Sequence, residues 1–150
     1  MRKPFISLWA LALFGCYVQS VRHNPAEAVF DTNLFLKTLY VDQNYQRALN
    51  LADDALRKAA TADNLKQMVQ TTEQKAGRLR ELKAESYLRT PGKTMELFYI
   101  GRYEKGTLYH RLVLAGDASS GYKVSGVWFQ DSPYPGHGLR SQFETNIIVK

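Results

Sequence analysis

Residues 78–131 alternate between apolar and polar positions in four short runs. Between these runs lie three groups of turn-forming residues, at 90–93, 104–107 and 117–121. A period of two is typical of β-strands that bury one face, because successive side chains point to opposite sides of the sheet. The pattern therefore predicts four consecutive strands joined by hairpin turns, which is an antiparallel meander.

The register of each hairpin decides which side chains share a face. Closing the three turns independently gives one consistent apolar face, here named the inner face. It includes five polar or aromatic residues of functional interest: Tyr99, Tyr103, His110, Tyr122 and Trp128. The opposite side, here named the outer face, carries its own apolar stripe: Phe98, Ile100, Val113, Val127 and Phe129. A sheet with an apolar inner face needs a cover.

The segment before the strands can supply that cover. Capping residues and apolar side chains spaced by three and four predict three helices. They are a helix from Pro25, capped by Asn24, to about Tyr40; a second through Tyr45, Leu49, Ala52 and Leu56; and a third from Thr61 or Asp63 to Gly77. We therefore predict an α+β domain over residues 25–131, with N-terminal helices packed on a curved four-stranded antiparallel β-meander.

The N-terminus has the layout of a secretory signal. Arg2 and Lys3 precede an apolar run at 5–14 that is too short to span a membrane. The run ends at Gly15 and Cys16, and this ending resembles a bacterial lipobox, which implies cleavage before Cys16 and acylation of its thiol and amino group. We expect residues 1–15 to be a lipoprotein signal peptide and residues 16–24 to be the lipidated Cys and a tether. The alternative is an ordinary signal peptide with an incidental Cys.

Cys16 is the only cysteine of the chain, so no intramolecular disulfide is possible. The lipobox interpretation predicts a bacterial cell envelope protein that is lipid-anchored on the periplasmic side. Tyr17 follows Cys16 where an Asp would signal retention in the inner membrane, so the outer membrane is favoured. Cleavage would lower the net charge from +6 to +4, because 18 basic residues then face 14 acidic ones. That mild charge and the absence of a basic-aromatic motif argue against a nucleic-acid partner.

Residues 132–150 have a different composition. Pro133, Pro135, Gly136 and Gly138 are typical of a loop. The apolar residues at 147–149 are compatible with a short edge strand, but we expect a Pro/Gly-rich tail that is extended and weakly ordered.

Three stretches carry a family resemblance: 35–39 with 44–48, 75–79, and 121–129. Together with helices that precede a meander, they make the chain similar to small bacterial lipoproteins with a cystatin-like domain, in the superfamily that includes nuclear-transport-factor-like domains. The resemblance implies helices wrapped around a concave sheet that leaves a conical pocket. Some members are isomerases or dehydratases with an Asp or His on the pocket face, and dimers through the sheet are common.

Chemistry on the predicted inner face is limited to His110. A buried histidine can act as a general base, but more often it is a neutral core residue bonded to a hydroxyl or carbonyl group. Asp53, beside the apolar side of the second helix, is a possible carboxylate partner and more plausibly a solvated residue. The three histidines, His23, His110 and His137, have no ligand spacing, so neither a metal nor another cofactor is predicted.

These patterns predict a non-catalytic binding or assembly module. The five residues of functional interest on the inner face form either a ligand pocket or simply the core. The outer stripe is a candidate interface with a second copy or with another envelope protein. The alternative function is an enzyme that acts on a small apolar substrate, with His110 as its base.

Overall fold

The structure is a computed structural model that describes residues 21–92 and 94–149. Cys16 and the predicted signal peptide at 1–15 lie outside the described residues. The helices are α1 (Pro25–Leu36), which continues as a π-helical turn (Lys37–Val41), α2 (Tyr45–Leu51), α3 (Asp54–Ala59) and α4 (Ala62–Ala76). The strands are β1 (Leu79–Thr90), β2 (Thr94–Tyr103), β3 (Gly106–Asp117), β4 (Gly121–Gln130) and β5 (Ser141–Val149), and a 3₁₀ turn (His137–Leu139) precedes β5.

The strands form one antiparallel sheet in the order β4-β3-β2-β1-β5. The predicted α+β class, with helices followed by an antiparallel sheet, is confirmed. The sheet has five strands instead of four, because Ser141–Val149 pairs with the free edge of β1. The weakly ordered tail that we expected for 132–150 is therefore corrected over this range, where the backbone of β1 provides the hydrogen-bonding partner.

Helix ends follow the capping signals in the sequence. Asn24 Oδ1 accepts a hydrogen bond from the Ala26 amide, and Thr61 forms a capping box with Asn64 at the start of α4. Gly77 ends α4 with a φ of +81°, a conformation that favours glycine. The predicted second helix is interrupted: α2 ends at Leu51, and α3 starts after Asp53.

Asp53 connects the helices to the sheet at this interruption. Its Oδ1 caps α3 by accepting a hydrogen bond from the Leu56 amide at 2.8 Å. Its Oδ2 accepts a hydrogen bond from the Ser125 hydroxyl at 2.8 Å, and its amide donates to the Val124 carbonyl. Asp53 is therefore a structural residue, and not a free carboxylate beside the predicted pocket.

Ser125 is the extra residue of a β-bulge in β4. Val124 pairs with Leu114 and Gly126 pairs with Val113, so Ser125 has no partner on β3. One extra residue moves every following side chain to the other face. Our face assignments for the second half of β4 are therefore wrong.

The bulge exchanges the predicted positions of three residues. Val127 and Phe129 pair with Leu112 and His110 and lie on the inner face, although the sequence pattern placed them on the outer face. Trp128 pairs with Arg111 and lies on the outer face, where it is 49% exposed. Its indole ring packs directly over Gly126, and a side chain at that position would collide with the ring.

A second bulge shifts the end of β1. Ala84 pairs with Tyr99 on the inner face, and Ser86 pairs with the next residue of β2, Phe98. Glu85 is therefore the extra residue. The sequence pattern, with the first turn closed around Pro91 and Gly92, predicts Ser86 and Leu88 on the inner face. The bulge places both on the outer face instead, opposite Phe98 and Glu96.

A turn on Lys105 and Gly106, as the sequence predicts, would place Glu104 opposite Thr107, but the structure places Tyr103 opposite Gly106. The pairing is shifted by two positions, and an even shift leaves every side chain on its predicted face.

The outer face has a cover of its own, formed by residues 131–140. The guanidinium carbon of Arg140 lies 3.6 Å from the ring centre of Phe98. The ring centres of Tyr134 and Phe98 are 5.9 Å apart. Arg140 also donates hydrogen bonds to the carbonyl groups of Tyr134 and Pro135. Phe98 is buried as a result. Our expectation that it belongs to an exposed stripe is therefore wrong.

The exchange of faces in β4 predicts the order of two substitutions. Phe129→Ala should lower the free energy of unfolding by about 2 kcal/mol, because Phe129 packs on the inner-face cluster of Ala76, Tyr103 and Leu108. Trp128→Ala should cost less than about 1 kcal/mol, since it loses mainly an exposed contact with Arg111. Urea unfolding of the two variants measures this difference, and a larger loss for Trp128→Ala would contradict the observed register.

Candidate functional site

Four of the five predicted pocket residues do share the inner face. Tyr99, Tyr103, His110 and Tyr122 are each at most 6% exposed, and Trp128 is on the other side of the sheet. Their burial is the decisive property, because a binding pocket needs side chains that a ligand can reach. The four residues instead form part of the core under the helices.

His110 is enclosed by hydroxyl groups. Tyr103 Oη lies 2.9 Å from His110 Nε2, and Tyr40 Oη lies 3.5 Å from His110 Nδ1. The ring of Phe129, with its centroid 6.2 Å from that of His110, adds an apolar side to this enclosure. Both imidazole nitrogens thus have partners, as expected for a buried polar group that contributes to stability.

Tyr40 reaches His110 from the π-helical turn. This turn buries three successive residues, Thr38, Leu39 and Tyr40, where a regular helix on a surface buries only one side. The sequence pattern shows no signal for such a turn. Tyr40 is therefore the residue of this cluster that sequence reasoning missed.

Gly101 makes room for the contact between Tyr103 and His110. A Cβ atom at Gly101 would lie 2.7 Å from Tyr103 Cε2 and 3.0 Å from His110 Nε2. Any side chain at this position would force the two rings apart. The glycine therefore creates space that the core itself fills, and it does not leave an opening.

The electrostatics of the cluster favour neutral groups. Burial lowers the pKa of His110 from 6.5 to about 4, because the charged imidazolium form loses its hydration. Burial also raises the pKa values of Tyr40, Tyr99 and Tyr103 above the usual value of 10. At neutral pH the cluster is a network of uncharged hydrogen-bonding groups.

The other two tyrosines tie the first helix to the sheet. Tyr99 donates a hydrogen bond to Asn33 Oδ1 on α1 at 2.9 Å. Tyr122 accepts one from the Asn24 amide at 2.7 Å, directly at the start of α1. These hydroxyl groups have structural partners and are not directed into an open space.

A cleft of about 630 Å³ lies next to the cluster and is lined in part by Tyr40. Its size is that of a small-molecule site, but its walls are largely charged or polar and differ from the apolar lining typical of such sites. The polar and charged residues of this lining are Gln43, Glu73, Arg78 and Arg80. His110 is not in this lining, so Tyr40 separates the imidazole from the cleft.

The outer face provides the exposed groups. Trp128 lies under the guanidinium of Arg111, whose carbon is 5.4 Å from the ring centre. Arg111 Nε donates to Glu96 Oε2 at 2.7 Å, which holds the guanidinium in place. Leu139, on the covering segment, is 81% exposed beside the groove that Phe98 and Arg111 line. Tryptophan and arginine together are typical of protein interfaces.

Of the predicted interface stripe, only part is found on the outer face. Ile100 and Val113 are on this face and half-buried, and Phe98 is there but covered. Sequence reasoning missed Arg140 and Tyr134 as its cover, because the loop composition of 131–140 contains no signal for where the loop packs.

Other site classes find no support in the described part of the chain. Among residues 21–92 and 94–149, no three His, Cys, Asp or Glu side chains come together as a metal site would require. Within the same residues, no helix has both the length and the apolar character needed to cross a bilayer.

Comparisons with known proteins give no relative on which to base a function. The chain matches no family model, and neither a curated protein nor a solved structure resembles it significantly.

The low pKa of His110 predicts a pH-dependent stability. Between pH 6.5 and 4 the unfolded chain takes up a proton at this residue and the folded protein does not, so the free energy of unfolding falls as pH falls. Over this interval the free energy of unfolding falls by about 3 kcal/mol through His110 alone. His110→Gln should cost about 1–2 kcal/mol at pH 7 and remove this part of the pH dependence. Urea unfolding of both proteins from pH 7 to pH 4 measures the difference.

Asp54, Asp117 and Asp131, whose pKa values are lowered in the fold from 3.8, begin to lose the stability that they contribute near pH 5. These groups are present in both proteins, so the difference between the two stability curves isolates the contribution of His110. Parallel stability curves for the wild type and His110→Gln would show that His110 is protonated in the folded state, and would contradict its enclosure.

Proposed function

We propose that this protein is a lipid-anchored module of the bacterial cell envelope that works by binding another protein. In this proposal Cys16 carries the lipid, and the domain lies on the periplasmic side, preferentially at the outer membrane. The finer fold assignment, a cystatin-like domain, is part of the same proposal and is supported by the order of helices and meander.

The observation that carries the proposal is the contrast between the two faces of the sheet. On the inner face, His110 and the three tyrosines are enclosed, and their polar groups are bonded within the core. On the outer face, Trp128 and Leu139 are exposed around an ion pair. A surface with an exposed aromatic ring, an ordered arginine and adjacent apolar groups is suited to protein binding.

The alternative, an enzyme that acts on a small apolar substrate, needs His110 as an accessible base. His110 is 0% exposed, and its low pKa makes it a weak base at neutral pH. Catalysis at this position would require Tyr40 and the π-helical turn to move away from the sheet. Binding at the outer face requires no such rearrangement, and we therefore favour it.

The anchor has a direct test. Cys16→Ser removes the thiol that would be acylated, so the variant should accumulate as an unprocessed or soluble form. Fractionation of cells with detection of the precursor measures this, and Gln19→Ser serves as a control that should be processed and anchored normally. Recovery of Cys16→Ser in membranes at the wild-type level, with normal processing, would refute the anchor.

The binding surface can be tested in the anchored protein. A photo-crosslinking amino acid at position 128 should form a discrete adduct in intact cells, whereas one at the exposed Gln70 of α4 should not. The adduct can contain a second copy or another envelope protein, and its mass distinguishes them. Trp128→Asp should abolish the complex detected by sedimentation or co-purification, with little change in thermal stability.

Position 128 is preferable to Phe98 for this test, since Phe98 is buried under Arg140 and a charge there would disturb the fold. Equal crosslinking from positions 128 and 70, or a complex that survives Trp128→Asp, would contradict binding through the outer face.

A further inference from the structure

The first helix carries an exposed apolar stripe that the core does not use. Phe30, Leu34 and Val41 are 74%, 42% and 46% exposed, whereas Val29, Phe35 and Leu36 beside them are buried. The stripe runs for about 15 Å along α1 and its π-helical continuation, so it is a continuous surface on one element.

The chain that would lead to the anchor joins the fold near this stripe. The Arg22 carbonyl accepts a hydrogen bond from the Ala118 amide, and His23 Nε2 lies 2.9 Å from the Gly92 carbonyl oxygen. Residues 22–24 are therefore docked on the β1–β2 and β3–β4 turns instead of forming a free tether. Phe30 lines a shallow groove together with Ala118, at the same end of the molecule.

This geometry leaves a short connection to the membrane. Arg22 follows Cys16 by six positions, and a fully extended chain of that length reaches only about 20 Å. An anchored domain must therefore hold this end, with Phe30, close to the lipid headgroups. Under such confinement even a weak apolar contact is favoured, because the local concentration of lipid is high.

We infer that α1 lies on the membrane surface and that Phe30, Leu34 and Val41 enter the boundary between headgroups and acyl chains. The inference rests on the proposed lipidation of Cys16. Amphipathic helices in this position bury their apolar side by about 5–10 Å. The domain is then held by two contacts, the lipid at Cys16 and this stripe.

The charges along the stripe identify the type of lipid surface. Glu27 and Asp42 are exposed beside the stripe and Asp31 is half-buried next to Phe30, whereas Lys37 is the one basic residue of 25–42. The stripe therefore has no electrostatic attraction for anionic lipid. Contact should depend on the apolar side chains and should be at least as strong on zwitterionic phosphatidylcholine as on mixed anionic vesicles.

Fluorescent labelling of the full lipidated protein in phosphatidylcholine vesicles tests the inference. If the thiol of Cys16 is acylated, Leu34→Cys introduces the single free thiol for an environment-sensitive label. Thr107→Cys is the matched control, because Thr107 is exposed beside the β2–β3 turn, at the opposite end of the sheet. We expect that quenching by nitroxide-labelled lipids will be at least about twofold stronger for the label at position 34 than for the label at position 107.

A second variant identifies the cause of the quenching. Adding Phe30→Ser and Val41→Ser to Leu34→Cys should reduce the quenching to the level of position 107, while the protein stays in the vesicles through its lipid. Both added substitutions are at exposed positions, and an unchanged circular dichroism spectrum will show that the fold is retained.

The outcomes that overturn the inference are distinct. One label per chain with equal quenching at positions 34 and 107 refutes membrane contact by α1 but leaves the anchor intact. A shifted emission of the label at position 34 without quenching by lipid would show that another protein molecule covers the stripe. This result would also refute the membrane contact. Two labels per chain would show a free thiol at Cys16, and both the anchor and the membrane contact would then be rejected.

Discussion

The hydrogen bond from Ser125 to Asp53 is the constraint on which the rest of the sheet depends. It holds the extra residue of β4 at the point where α2 ends and α3 begins, and the adjacent backbone bond from Asp53 to Val124 reinforces it. Because a bulge inverts the alternation beyond it, this contact places Phe129 against His110 and turns Trp128 outwards. The Asp53 carboxylate therefore holds β4 at the point beyond which the inner and outer positions of its side chains are exchanged.

The inner face is closed by polar groups as much as by apolar packing. Tyr40, Tyr99 and Tyr122 each link a helix or its cap to the sheet, and Tyr103 links β2 to His110 on β3. A hydroxyl group left without a partner in this core would be costly, so the partners fix the position of α1 over the sheet. A network of this kind specifies one arrangement of the core. Because its polar groups are already bonded to one another, we look for binding on the surface of the domain.

Local signals in the sequence predict much of the fold. The Asn24 and Thr61 caps, the stop at Gly77 and the three hairpin turns are short-range features, and each appears within one residue of where its chemistry predicts. The α+β class follows from their order. The burial of His110 was also predictable, because the alternation of β3 is uninterrupted around it.

The features that could not be predicted depend on contacts between distant segments. The bulge at Ser125 needs Asp53, which is 72 residues away, and nothing in the alternation of β4 indicates it. Strand β5 needs the free edge of β1, and its composition suggested a tail. The cover of Phe98 needs Arg140, whose position on the ring depends on where a Pro-rich loop folds back. In each case the local pattern is compatible with two structures, and a long-range contact selects one.

The inner face is a sealed core, and the binding that we propose therefore takes place on the outside of the domain. Titration of the His110 imidazole by nuclear magnetic resonance, assigned with the His110→Gln variant, tests whether this core is sealed. In a sealed core, the ring signals should remain those of a neutral imidazole down to about pH 5 and move only near the lowered pKa of about 4. A midpoint near the ordinary pKa of 6.5 would show a solvated histidine in an open pocket, and would contradict a sealed core.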